Sequence, residues 1–140
     1  MNWNELLENP ISMLSEPLKL RLTPEIKLWS AWRSMKSKNV SIAPVYEGDT
    51  LIGFITEQCV EVVTSLAGMA NLDVYEVVQK EYLKVNHNDS IKSALIAAGQ
   101  HKVSYIHVVG SNGEPMGVIN VPTAFYKLDQ INRQRMADGI

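Results

Sequence analysis

An internal repeat restricts the possible folds of this chain more than any other feature, because a repeated pattern implies a repeated structural unit. The two halves align at a shift of 63 residues, and the shift becomes 64 after a predicted hairpin turn, where Gly53 falls on Gly117. One residue inserted in a loop explains the change, since loops tolerate insertions. The pairs that match at the first shift include Leu22 with Val85, Leu28 with Ile91, Ala31 with Ala94, Val40 with Val103, Ser41 with Ser104 and Val45 with Val108.

Each half predicts the same order of elements: strand, helix, strand, strand, helix. Alternating apolar and polar residues predict short strands at 18–22 and 82–85. Apolar residues at helical spacing follow, with helix starts expected at Thr23-Pro24 and at 88–90. A hairpin with glycine in its turn and a second helix complete each half. We expect the hairpins at 41–55 and 105–119, and the second helices at 57–66 and 122–133.

A unit of this size cannot bury both faces of its sheet alone, so two units should pack together with approximate twofold symmetry. The expected fold class is therefore α/β (α+β), with two β-α-β-β-α repeats related by a pseudo-two-fold axis. We expect an N-terminal extension at 1–8, a first repeat at 9–70, a second repeat at 71–130 and a C-terminal tail at 131–140.

Composition excludes several classes of protein. The chain has 140 residues, a formal net charge of -2 and no basic run, which argues against nucleic acid as a partner. Cys59 is the only cysteine, so neither an intrachain disulfide nor a cysteine-based zinc cluster can form. No apolar stretch approaches the roughly 18 residues of a membrane helix, and the N-terminus lacks the pattern of a signal peptide. We expect a soluble, cytoplasmic protein that binds no metal and does not contact a membrane.

Two stretches carry a resemblance to a known family. In the first half, residues 40–45 (VSIAPV) are followed by a turn at Gly48 and by 51–57 (LIGFITE); in the second, 103–109 (VSYIHVV) are followed by Asn112-Gly113 and 116–119 (MGVI). Over residues 9–130 the chain resembles the CBS-pair family, also called the Bateman module, whose members carry two cystathionine-beta-synthase-type repeats in tandem.

The resemblance implies a ligand and a site. CBS pairs usually bind adenosine-containing molecules in clefts between the two repeats, and they commonly control an enzyme, channel or transporter. A Gly-x-x-Thr/Ser-x-x-Asp segment leads from the last strand into the second helix; its hydroxyl contacts phosphate and its Asp holds the ribose. Here Gly53 and Thr56 match, but Cys59 takes the place of the Asp. In the second half Gly117 matches, while Asn120 and Thr123 replace the other two residues.

The chemistry of the segment supports this reading, because unpaired N–H groups at a helix start favour phosphate and a carboxylate can accept two hydrogen bonds from a diol. With both carboxylates missing, we expect weak binding of AMP, ADP or ATP as a ligand, with no cofactor required. The candidate ligand-binding residues are Ile42, Ala43, Pro44, Gly53, Thr56, Cys59, Tyr105, His107, Gly117, Asn120 and Thr123.

Each singled-out residue also has a structural interpretation. Thr56 can act simply as a helix N-cap. Cys59 can be a small apolar residue in the first turn of a helix. His107 can be a hydrogen-bonded strand residue, or it can meet a phosphate or respond to pH.

The expected function is a non-catalytic regulatory or ligand-sensing module. The alternative is a protein-interaction or dimerisation module that has lost its nucleotide. No carboxylate pair, Ser/His/Asp set or Cys/His pair indicates an enzyme. We expect a homodimer, because Trp29 and the second helix of the first half carry more apolar side chains than one core needs, and control of an effector protein in trans. Those helical residues are Val60, Val62, Val63 and Leu66.

Overall fold

The expected mixed α/β class is confirmed in a computed structural model of the protein, which describes residues 2–66 and 68–137. No helix within those residues is both long and apolar enough to cross a membrane. The helices and strands, in chain order, are α1 (Trp3–Leu7), β1 (Glu16–Pro17), α2 (Leu28–Lys38), β2 (Ile42–Glu47), β3 (Thr50–Thr56), α3 (Glu57–Thr64), β4 (Leu83–Asn86), α4 (Ile91–His101), β5 (Tyr105–Val109), β6 (Pro115–Asn120) and α5 (Val121–Ala137).

The chain divides into two compact units whose bounds differ from those of the sequence repeats. One unit is Leu18–Lys80, and the other joins Met1–Pro17 to Glu81–Ile140. Residues 9–17 therefore belong to the unit that holds the second repeat, and residues 71–80 belong to the unit that holds the first. We call these two stretches the exchanged segments, because each repeat contributes its first residues to the unit of the other.

The unit of residues 18–80 has a two-stranded antiparallel sheet, β2 with β3, against which α2 and α3 pack. The prediction of a strand at 18–22 is wrong: Leu22 alone forms a bridge, parallel to Val45. The Leu22 N–H donates to the Pro44 carbonyl at 3.0 Å, and the Tyr46 N–H donates to the Leu22 carbonyl at 2.8 Å. Extending this ladder towards Leu20 would require an N–H on Pro44, and proline has none.

The second unit shows what happens without that proline. His107 stands at the position equivalent to Pro44, and here β4 pairs with β5 in parallel along all four of its residues. The sheet continues through β6 to β1 in the order β1-β6-β5-β4, and both of those further pairings are antiparallel. A proline in one repeat therefore explains why the first strand is a ladder in one unit and a single bridge in the other.

The first helices of the two repeats begin at equivalent positions, Leu28 and Ile91, although only the second has a side-chain cap. The predicted start near Ser90 is confirmed, since the Ser90 hydroxyl accepts a hydrogen bond from the Ser93 N–H at 3.0 Å and α4 begins at Ile91. The start predicted at Thr23-Pro24 is wrong, because those residues form a turn and α2 begins only at Leu28.

The ends of the chain are more ordered than the sequence indicated. The predicted extension at 1–8 contains α1, which is followed by a 3-10 helix at Ile11–Leu14. Leu6, Ile11 and Leu14 are buried in the core of their unit together with Ile91, Ile106 and Leu128. Helix α5 runs to Ala137, so residues 131–137 of the predicted tail are helical, and residues 138–140 lie outside the described part of the chain.

Candidate functional site

The candidate residues of the first repeat meet where β3 runs directly into α3. Thr56 ends β3 opposite Ile42 of β2, and the Glu57 N–H at the helix start donates to the Ser41 carbonyl at 2.9 Å. The Thr56 hydroxyl oxygen accepts a hydrogen bond from the Cys59 N–H at 3.2 Å. Thr56 is thus the N-cap of α3, and its hydroxyl hydrogen is left to donate outward.

The second repeat builds the same junction between β6 and α5. Asn120 ends β6 opposite Tyr105 of β5, and the Val121 N–H donates to the Ser104 carbonyl at 2.8 Å. The Thr123 hydroxyl donates to the main-chain carbonyl of Asn120 at 2.9 Å. At the position where a carboxylate would hold a ribose, this junction therefore has a short hydroxyl bonded to its own backbone.

Both glycines of the motif make room for backbone from the exchanged segments. A Cβ on Gly53 would overlap the carbonyl oxygen of Gln79, and a Cβ on Gly117 would lie 2.8 Å from the carbonyl oxygen of Glu16. Glu16 and Gln79 are themselves 63 residues apart, which is the repeat shift. The space beside each glycine is filled by main chain, so a side chain at either position would displace an exchanged segment.

Three candidate residues of β2 are buried. Ile42, Ala43 and Pro44 lie side by side on the strand, and Ala43 belongs to the hydrophobic core of its unit. Ala43 has no exposed surface, so neighbouring side chains would have to move before a ligand could reach it.

A cation that the sequence interpretation missed lies at the first junction. Lys36 of α2 forms ion pairs with Glu57 and, at 3.2 Å, with Glu61 of α3. Hydrogen bonds from Lys36 and then Trp32 hold the pKa of Glu61 below its usual range, and the bonds to Glu57 and Glu61 raise the pKa of Lys36. No local spacing signals this cluster, because it depends on how α2 packs on α3.

Cys59 lies in the first turn of α3 and is half-buried. Burial raises the pKa of its thiol, so the side chain is neutral at physiological pH. It therefore offers a ribose neither charge nor a strong hydrogen-bond acceptor.

His107 is buried, with 4% of its surface exposed, in the middle of the four-stranded sheet. Its strand neighbours are Lys84 on β4 and Val118 on β6, and the Tyr82 ring meets it edge-on at 6.2 Å. Burial, and after it the charge of Lys84, lowers the pKa of His107. The imidazole is neutral at neutral pH, which makes it a poor partner for a phosphate there.

Among the described residues, no group of three or more His, Cys, Asp or Glu side chains is placed to hold a metal ion.

Comparison with known proteins places this architecture. Residues 74–122 match the CBS domain family. The CBS domain of the bacterial CNNM/CorC family Mg2+ transporter has the same fold, with a TM-score of 0.69 and 19% sequence identity over 89% of this chain and 78% of that structure. The same domain in complex with ATP gives a TM-score of 0.68 and 19% identity over 89% of this chain and 90% of that structure.

A curated relative extends the match along the sequence. Inosine-5'-monophosphate dehydrogenase of Korarchaeum cryptofilum (strain OPF8) is 25% identical over 108 residues, which is 77% of this chain. The chain spans only 22% of the length of that dehydrogenase. Residues 74–122 thus match the CBS domain family directly, and the chain has the fold of solved CBS-domain structures along most of its length.

Proposed function

We propose that this chain is a non-catalytic, cytoplasmic regulatory module that binds an adenosine-containing nucleotide weakly and transmits its occupancy to an effector protein in trans. The observation that carries the proposal is the junction at Thr56. Its hydroxyl caps α3, and the side chain is partly exposed. Of the first three N–H groups of the helix, those of Glu57 and Cys59 are bonded to the Ser41 carbonyl and the Thr56 hydroxyl, which leaves that of Gln58 for a ligand. Such a helix start favours a phosphate group.

Two features of the same junction limit the affinity. Cys59 supplies no charge where a ribose-binding carboxylate would stand. Glu57, in the first turn of α3, is half-exposed and already paired with Lys36. A phosphate approaching Thr56 therefore meets a nearby carboxylate, and the lysine that could attract it is shared between two glutamates.

The similar structures support the ligand class. The CBS domain of the CNNM/CorC family transporter binds ATP, and that domain covers 89% of this chain in the comparison. The relative that is an enzyme matches this chain over a small part of its own length. Both observations favour a binding module over a catalytic one.

We expect the wild-type chain to bind AMP, ADP or ATP with dissociation constants in the millimolar range, about −4 kcal/mol. Isothermal titration of the full chain at fixed salt measures this directly, and inosine serves as the control without phosphate or adenine. Micromolar binding of AMP would show that another group, such as Glu57, takes the role of the missing carboxylate. Absence of binding at saturating millimolar nucleotide would favour the second candidate function.

That second candidate is a dimerisation module, and the outer face of α3 favours it. Val62 is 58% exposed and Leu66, just beyond the helix, is 54% exposed. Trp32 of α2 joins them with 36% of its surface exposed, and its indole N–H lies 3.5 Å from the Glu61 carboxylate. Neighbouring exposed apolar side chains of this size are typical of a subunit interface.

We expect a homodimer through this face, in the twofold arrangement that is usual for such contacts. Light scattering at tens of micromolar should give the dimer mass for the wild type and the monomer mass for Val62→Glu. Gln100→Glu adds the same charge to an exposed position of α4, away from this face, and should leave the dimer intact. A monomeric wild type, or dissociation by both variants alike, would rule out this face.

A further inference from the structure

A shallow groove of about 340 Å³ runs along α2 on the side away from α3. Leu20 forms one wall, and the exposed side of α2 forms the other. Trp29, with 44% of its surface exposed, closes one end, and Lys38 lies at the last residue of the helix. All of these residues belong to the unit of residues 18–80.

The cations of this groove differ from the other cations of the same helix region. Lys27, which caps α2, pairs with Asp73 at 2.7 Å, and Lys36 pairs with two glutamates of α3. Arg33 and Lys38, which line the groove, form no ion pair with any carboxylate in the described part of the chain. The groove also contains no acidic side chain, so its charge is uncompensated.

The remaining side chains that line the groove are polar. Three serines face the groove, and within the described residues none of their hydroxyls has a hydrogen-bond partner. Hydroxyls can donate to carbonyls and accept from N–H groups, so together they can bond the backbone of an extended segment. These serines are Ser30, Ser34 and Ser37.

The spacing along the helix indicates the kind of segment. Arg33 and Lys38 are five positions apart, about 7.5 Å along the axis at 1.5 Å per residue. Alternate residues of an extended chain are about 6.8 Å apart. Trp29 precedes Arg33 by about 6 Å, which is close to one further step of the same length. Arg33 and Lys38 also lie about 140° apart around the helix, at 3.6 residues per turn. A single phosphate group is too small to reach both cations, whereas an extended segment that crosses the groove can bring one carboxylate to each.

We propose that this groove docks an acidic, extended segment of a partner protein. The segment presents an apolar side chain to Trp29 and Leu20, a carboxylate at the next alternate position to Arg33, and a further carboxylate across the groove to Lys38. The Arg33 guanidinium already lies 5.9 Å from the centre of the Trp29 ring, so a carboxylate bonded to it would sit beside the apolar anchor. The proposal does not depend on nucleotide binding, since none of these residues belongs to the strand-to-helix junctions.

The test uses the full chain and two arrays of short peptides in which alanines separate the other residues. The first array carries Leu, Phe or Tyr, a glutamate two positions later and a second glutamate two, three or four positions after the first, in both chain directions. The second array replaces every glutamate by lysine. We expect the acidic peptides to bind, to weaken as salt rises, and to shift the Trp29 indole N–H resonance. The double variant Arg33→Glu, Lys38→Glu should lose at least about tenfold in affinity, since both contacts become repulsive.

Lys92→Glu is the matched control, because Lys92 is an exposed cation on α4, and it should change affinity less than twofold. Circular dichroism establishes that each variant is folded. The proposal is overturned if no acidic peptide binds better than its lysine counterpart, or if the double variant binds as well as the wild type. The proposal is also overturned if the peptides do not shift the Trp29 resonance but inorganic phosphate or ATP does, and if the double variant abolishes that shift.

Discussion

Gly53→Ala is expected to lower the free energy of unfolding by about 2–4 kcal/mol, the sum of two lost backbone hydrogen bonds and local overpacking. The added methyl group would overlap the Gln79 carbonyl oxygen, which is backbone and cannot turn aside as a flexible side chain could. Moving Gln79 away breaks its two hydrogen bonds with Phe54, at 2.8 and 3.0 Å. The edge of β3 would then lose its exchanged segment.

Thermal unfolding followed by circular dichroism measures the effect, which should amount to roughly 10 °C at about 3 °C per kcal/mol for a chain of this size. Gly99→Ala is the control. A Cβ at Gly99 meets open space within helix α4, so this variant should be neutral or more stable by up to about 1 kcal/mol. Equal melting temperatures for Gly53→Ala and the wild type would mean that the exchanged segment moves aside with no loss of stability.

Cys59→Asp is expected to strengthen the binding of adenosine nucleotides by about 10- to 150-fold, the equivalent of 1.5–3 kcal/mol for hydrogen bonds to a charged group. The residue lies in the first turn of α3, three positions after Thr56, where a carboxylate also interacts favourably with the helix dipole. The substitution replaces a neutral, half-buried thiol by an acceptor able to bond both hydroxyls of a ribose.

Titration of AMP into Cys59→Asp and into Gln58→Asp separates the ribose contact from a general change in charge. Gln58 is exposed in the same helical turn, so its carboxylate alters the local field without occupying the position of Cys59. Thr56→Ala on the Cys59→Asp background should reduce the gain, because it removes the hydroxyl at the helix mouth. Equal affinities for the two aspartate variants would show that the ribose does not reach this turn.

The sequence predicted the elements better than their assembly. Helical spacing placed α4, and apolar runs placed the hairpin strands, because these signals are local. The strand expected at 18–22 does not form because Pro44 has no N–H to extend the ladder, although its neighbours Ala43 and Val45 fit a strand. A proline in the adjacent strand gives no signal in the segment it leaves unpaired.

The exchange of first segments could not be predicted from an alignment of the two halves. Such an alignment shows which residues are similar, and Glu16 does fall on Gln79, but it does not show which glycine each of them contacts. The motif match likewise does not reveal that each glycine makes room for main chain of an exchanged segment. The role of Thr56 as the cap of α3 was predictable, since capping is local. The position of Lys36 at the same junction was not, because this residue reaches Glu57 from a different helix.

The exchange of first segments bears on how a chain of this kind could have arisen. A protein consisting of one such repeat would leave its glycine-bearing strand edge bare, and only the first segment of a second molecule could cover it. The earliest form would then have been a pair of identical chains that each completed the other. Joining two copies of such a gene would turn that bimolecular association into a contact within one chain, at an effective concentration set by the linker. In such a fused chain, loss of either half would leave a glycine-bearing strand edge of the other uncovered.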